Sequence, residues 1–209
     1  LLSSTASRLR PSEGLRPPIP LSMAVKNSAP ALGVIFGNRD FFPDRLVPDA
    51  RADIGKLFAE LGLEAVMLDP AETKLGGVET HRDARQCADL FRRHRDRIVG
   101  ILVVLPNFGD EKGVADTLKM SKLNVPVLIQ GYPDDLKQLS PARRRDAFCG
   151  KISVTNNLVQ AGIKFSLTSK HVSHPTSAGF EVDLQKFLGV CRVVNGIRGV
   201  RLGAVGARP

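Results

Sequence analysis

The chain has 209 residues, 43% of them hydrophobic, and a mean hydropathy of −0.05, a globular composition sufficient for one full domain and the start of another. No apolar run approaches the roughly 20 residues that cross a bilayer, so a membrane-spanning helix is excluded. The net charge of +9 invites a nucleic-acid partner, but its sources argue against one. Arg8, Arg10 and Arg16 lie in the N-terminal tail, and Arg92-Arg93-His94-Arg95 and Arg143-Arg144-Arg145 are each followed by an aspartate. With Tyr132 as the only tyrosine and no tryptophan, platforms for stacking bases are scarce. These charges read as solvated faces and loops, and no nucleic-acid partner is expected. Cys87, Cys149 and Cys191 are odd in number and far apart, the pattern of reduced thiols in a cytoplasmic protein.

Residues 1–28 are rich in Ser, Pro and Arg, and Arg16-Pro17-Pro18-Ile19-Pro20 continues neither a helix nor a central strand. They are expected to be a disordered tail, with Met23 as a natural start. From Ala31 the pattern alternates. Leu32–Phe36 reads as a strand, and Leu46, Ala50, Ile54, Leu57, Phe58 and Leu61 then recur at helical spacing. Glu64–Leu68 is a short strand. Thr80 with Asp83 three residues on starts a helix whose apolar face is Ala84, Cys87, Ala88 and Phe91. Ile98–Leu105 is apolar on both faces, as a central parallel strand must be. Val114, Ala115 and Leu118 mark a helix, and Pro126–Ile129 a fourth strand. Val154, Leu158 and Ala161 predict another helix, and Phe180, Leu184, Phe187, Leu188 and Cys191 a clearer one. Repeated β-α units imply right-handed crossovers and a doubly wound, flavodoxin-like parallel sheet with helices on both faces. Residues 29–196 are read as this domain. Val200–Gly206 reads as the first strand of a second α/β domain over 197–209, so the chain is expected to be an N-terminal piece of a longer protein.

Three strand ends carry polar clusters: Asn38-Arg39-Asp40, Asn107 to Glu111, and Gln130 to Asp135. In a parallel sheet these ends share one edge, where open α/β sheets bind ligands. Arg, Asn, Gln and Tyr suit a polyhydroxylated or anionic small molecule; the alternative is that they cap helices and form turns. Asp110-Glu111 and Asp134-Asp135 have the form of acid–base or metal-binding pairs, but Asp110 and Glu111 fit better at a helix N-terminus. His171 and His174 have metal-ligand spacing, yet Pro175 biases His174 away from helix, and both read as loop residues. Cys149 to Asn157 has Gly, Lys and hydroxyls without the spacing of a phosphate-binding loop. The segment is a weak candidate for cradling a phosphate; the alternative is that Lys151, Ser153 and Asn156 contact a sugar or a neighbouring subunit.

Gly37-Asn38-Arg39-Asp40-Phe41-Phe42-Pro43, Leu105-Pro106-Asn107-Phe108-Gly109-Asp110-Glu111, Val127 to Asp135 and Phe148-Cys149-Gly150-Lys151-Ile152-Ser153 occur in this order. Together they resemble the N-terminal region of L-fucose isomerase-like proteins, from about Gly33 to Pro209. The resemblance implies aldose–ketose interconversion of a monosaccharide through an ene-diol by a homo-oligomer that uses a divalent metal, typically manganese. It places the metal ligands in later domains, so no catalytic residue and no metal ligand is assigned to this chain, which is expected to be inactive alone. By the same resemblance Arg39, Asn107, Gln130, Tyr132 and Lys151 are candidates for sugar contacts or subunit packing. The competing expectation is a stand-alone sugar-binding α/β module without catalysis.

Overall fold

The computed structural model describes residues 30–198, 200–203 and 205–206. The expected tail, 1–28, lies outside the described residues. Five strands form one parallel sheet: β1 (Ala31–Phe36), β2 (Glu64–Val66), β3 (Ile98–Leu105), β4 (Val127–Gly131) and β5 (Ser166–Leu167). Their order is β2-β1-β3-β4-β5, the flavodoxin-like arrangement. The order reverses at β1, whose neighbours are β2 on one side and β3 on the other. In open α/β sheets the carboxyl ends of the strands at such a reversal are where ligands bind.

The helices are α1 (Leu46–Leu61), α2 (His81–Arg93), α3 (Glu111–Ser121), α4 (Ala147–Gln160) and α5 (Ala178–Ile197). Gly33 lies against the ring of Phe91 in α2, whereas Gly100, one residue off the matching position in β3, lies against Cys191 and Phe187 of α5. The space where a Gly100 Cβ would stand is 2.4 Å from Cys191 Sγ, so only glycine lets α5 settle on β3. Both faces of the sheet are therefore covered, which is why every residue of β1 is buried and β3 is apolar throughout.

The capping box expected at Thr80 is present: Thr80 Oγ1 accepts from Asp83 N at 3.2 Å, and Thr80 N donates to Asp83 Oδ2 at 3.0 Å. Asp110 caps α3 by accepting from Gly113 N at 2.6 Å, the helix-terminus role preferred for it above. Some expectations are corrected. β2 stops at Val66, two residues short of the expected Leu68, and β4 runs on through Gln130 to Gly131. β5 has two exposed residues and carries no alternation that a sequence pattern can register. Val200–Gly203 and Val205–Gly206 form no strand; they are irregular and exposed, with no strand beside them among the described residues. Of the three cysteines, all free, Cys87 and Cys191 are buried and Cys149 is exposed. Among the described residues no helix is long and apolar enough to cross a membrane.

Candidate functional site

The candidate site is the carboxyl edge of the sheet, and its centre is a pair of asparagines at the β1–β3 reversal. Gly37 N still donates to Val104 O (3.0 Å), after which Asn38 N turns to Val78 O (3.1 Å). The chain thereby delivers Asn38 inward, fully buried. Asn107, equally buried, follows the end of β3. Asn107 Nδ2 donates to Asn38 Oδ1 at 2.5 Å, while Asn107 Oδ1 accepts from Arg39 N (3.2 Å) and Gly109 N (3.0 Å). Asn38 Nδ2 completes the line by donating to Glu79. Two strand ends 69 residues apart in sequence are thus locked side by side by groups that need no charge.

Arg39 leaves this lock toward the surface. Its guanidinium donates to Glu111 Oε2 at 2.6 Å, lies 3.6 Å from Asp110, and sits 4.9 Å above the Phe108 ring. Phe108 in turn stacks on Phe42 at 6.5 Å. Nearby, Lys74 bonds Asp40 (3.0 Å) and Asp44 (2.8 Å) and lies 3.9 Å from Glu79. Those hydrogen bonds raise the Lys74 ammonium above its ordinary range, and burial raises the Glu79 carboxyl despite Lys74 and Asn38. Five carboxylates thus surround two cations at this corner. Sequence reasoning missed Glu79 and Lys74; neither stands at a strand end or in a recurring pattern.

The end of β4 builds a second cluster. Tyr132 is buried and its hydroxyl donates to Asp53 Oδ2 of α1 at 3.0 Å; burial and that carboxylate push the phenol well above its usual range. His174 Nε2 reaches the same oxygen at 3.4 Å, and its ring meets Tyr132 edge-on at 5.1 Å. His174 Nδ1 accepts from Thr176 N (3.3 Å), so both ring nitrogens are occupied and the loop reading holds. The Arg145 guanidinium lies over the phenol ring, 4.7 Å from its centre, and donates to Pro106 O at 2.9 Å. Gln130 is buried and its Nε2 donates to Ser173 O at 2.7 Å; its Oε1 and Ser173 Oγ have no hydrogen-bond partner.

The segment from Cys149 to Asn157 is helical, part of α4. Gly150 is there for close packing against Phe108. Lys151 is buried: its Nζ donates to Thr168 Oγ1 and to His171 O, both at 2.7 Å, pinning α4 to the loop after β5. Burial lowers its ammonium to about 8, against the attraction of Asp183. Folded Lys151 therefore gives up its proton before the unfolded side chain does, and the unfolded chain holds more protons between pH 8 and 10.5. Its contribution to stability rises with pH across that window. Cys191, raised to about 11 by burial, and Tyr132 act in the opposite direction at the alkaline end. The Lys151 component is isolated by subtracting the urea-unfolding stability of a Lys151→Met variant from that of the native chain at each pH. The difference is expected to increase by about 2–3 kcal/mol from pH 8 to 10.5; a flat difference would mean that the ammonium is not desolvated.

Of the five residues singled out from the sequence, Arg39 alone is partly exposed; Asn107, Gln130, Tyr132 and Lys151 are buried and bonded within the domain. The edge brings Arg39 and Asn107 together, while Tyr132 and Gln130 form a neighbouring cluster and Lys151 lies behind them on α4. Among the described residues no three His, Cys, Asp or Glu side chains come close enough to hold a metal ion. Asp110 and Glu111 face Arg39, and Asp134 Oδ1 accepts from Arg145 N and Asp146 N at 2.7 and 3.3 Å. These carboxylates are thus already engaged by Arg39 and by backbone donors.

A five-stranded parallel sheet covered by helices on both faces defines a doubly wound α/β domain. Residues 33–198, from β1 through α5, match the family model described as fucose/sulfoquinovose isomerase, N-terminal domain, and the chain belongs to that family. It is a sugar-isomerase domain. No curated protein and no solved structure matches the chain.

Proposed function

We propose that this chain serves as the N-terminal domain of a metal-dependent ketol-isomerase that interconverts an aldose and a ketose through an ene-diol. The family match over 33–198 carries this reading. The divalent metal, manganese in the resemblance noted above, supplies Lewis-acid polarisation of the sugar oxygens when bound; it and its acid–base carboxylates are assigned to the enzyme's other domains. This domain contributes the edge at Arg39, which helps close the substrate site of a neighbouring subunit in a cytoplasmic homo-oligomer. An acidic corner favours a neutral polyol over an anion, because five carboxylates repel negative charge and hydroxyls donate to carboxylates equally well. Asn107, Gln130, Tyr132 and Lys151 hold that edge in shape from within.

The test uses the enzyme that contains this domain, supplied with manganese and a panel of aldoses and assayed for ketose. Arg39→Ala is expected to lower kcat/KM by about tenfold to a hundredfold, the loss of one charge-assisted hydrogen bond, with the fold intact by circular dichroism. The chain 1–209 alone is expected to give no turnover under the same conditions. Turnover by the chain alone would overturn the placement of the chemistry elsewhere.

A further inference from the structure

Below the amino ends of β4 and β5, between the loops that follow α3 and α4 and the C-terminal half of α5, lies a cavity of about 610 Å³. That is the size of a small-molecule site, at the opposite end of the strands from Arg39. Its floor is apolar: Leu118, Val125, Ile163, Phe165 and Val194. Lys122, Lys164 and Arg198 stand around it, and no carboxylate lines it. Among the described residues neither lysine has a carboxylate partner. Lys122 is the C-cap of α3 and Arg198 that of α5, places where helix carbonyls favour a cation without any ligand. Lys164 stands four residues beyond the end of α4, out of reach of that effect, and is exposed. Lys122 and Asn124 both hold left-handed backbone, with φ 51° and 53°, and Arg198 donates to Asn124 O. The end of α5 is thereby tied to the loop before β4, which fixes the rim of the cavity.

We infer that this cavity binds a small anionic amphiphile, a carboxylate carrying an apolar body. The body takes the place of water over Phe165 and the aliphatic floor, where burial of apolar surface is favourable. The carboxylate stays at the rim, where Lys164 and Lys122 donate to it and no acid repels it. A sugar does not suit the same place. The five floor side chains offer no hydrogen-bonding atom, so a polyol would bury hydroxyls without partners. The ligand therefore belongs to a different class from the substrate proposed above, and the inference does not rest on the isomerase reading.

Isothermal titration of the full chain with octanoate tests it, with 1-octanol as the neutral body and acetate as the bare anion. Octanoate is expected to bind at one site, at least about tenfold more tightly than 1-octanol, and acetate to show no saturation. Lys164→Met keeps the stem and removes the charge. It is expected to weaken octanoate about tenfold and to leave 1-octanol unchanged. Val190 lines the cavity from a helix position that is 46% exposed, so Val190→Glu leaves the fold intact by circular dichroism. It is expected to weaken both ligands at least about tenfold, by setting a carboxylate against the floor. Three results would each overturn the inference. Octanoate fails to bind at about 1 mM; or it binds no better than 1-octanol, which makes the cavity an apolar seat for another protein segment; or both variants bind it as the native chain does. None of these outcomes touches the isomerase reading, which stands or falls on turnover.

Discussion

Gly150→Ala is expected to cost the domain at least about 3–5 kcal/mol and to lower its melting temperature by about 10 °C or more. Elsewhere in a helix this substitution stabilises by about 1 kcal/mol, so the reversed sign isolates the cause. The added Cβ would lie 1.9 Å from Phe108 O and 2.5 Å from Phe108 C and Cα. Both sides of that contact are backbone, and neither has a rotamer to turn away. The strand β3 fixes the loop on one side; Gly150 N, donating to Asp146 O at 3.0 Å, fixes α4 on the other. Relief must move the Phe108 backbone, and with it the ring that carries Arg39 and stacks on Phe42. The same variant in the enzyme should therefore lose activity beyond its loss of folded protein. Urea and thermal unfolding, followed by circular dichroism, check the first part; an unchanged melting temperature would refute the close approach.

Asn107→Ala is the second large effect, expected at about 2–3 kcal/mol in urea unfolding. It strands Asn38 Oδ1, Arg39 N and Gly109 N, which together hold the ends of β1 and β3. Asn38→Ala removes the same bond from the other side. The two losses are expected to fall short of additivity in the double variant, because the shared bond is lost only once. Full additivity would show that the two carboxamides act independently.

Much of the fold is legible in the sequence where one physical demand dominates. Ile98–Leu105 is apolar at every position because a central strand covered on both faces tolerates nothing else. Thr80 and Asp83 announce α2 because a capping box satisfies two otherwise unpaired backbone donors. The start of α4 is not legible. Its N-cap, Asp146, is in a left-handed conformation (φ 50°) with no side-chain cap bond, and Asp134, from another loop, bonds its N–H. β5 is two exposed residues whose strand state comes from pairing with Leu128 and Ile129. The motif Asn38-Arg39 is legible as a strand end because polar residues are conspicuous after an apolar run.

The sequence by itself determined the alternation of strands and helices, the shared carboxyl edge and the residue types gathered there. These follow from local hydrophobic period and from the parallel direction that β-α repeats impose. Only the tertiary structure decided which polar groups face outward. Tyr132 and Lys151 have the chemistry of surface or ligand-binding residues, yet each is buried because a partner distant in sequence satisfies it, Asp53 for Tyr132 and Thr168 with His171 for Lys151; Gln130 is buried with only its Nε2 bonded, to Ser173 O. A polar side chain is free to be buried only where its hydrogen bonds are met. That condition is a fact about three-dimensional neighbours, and no one-dimensional pattern contains it.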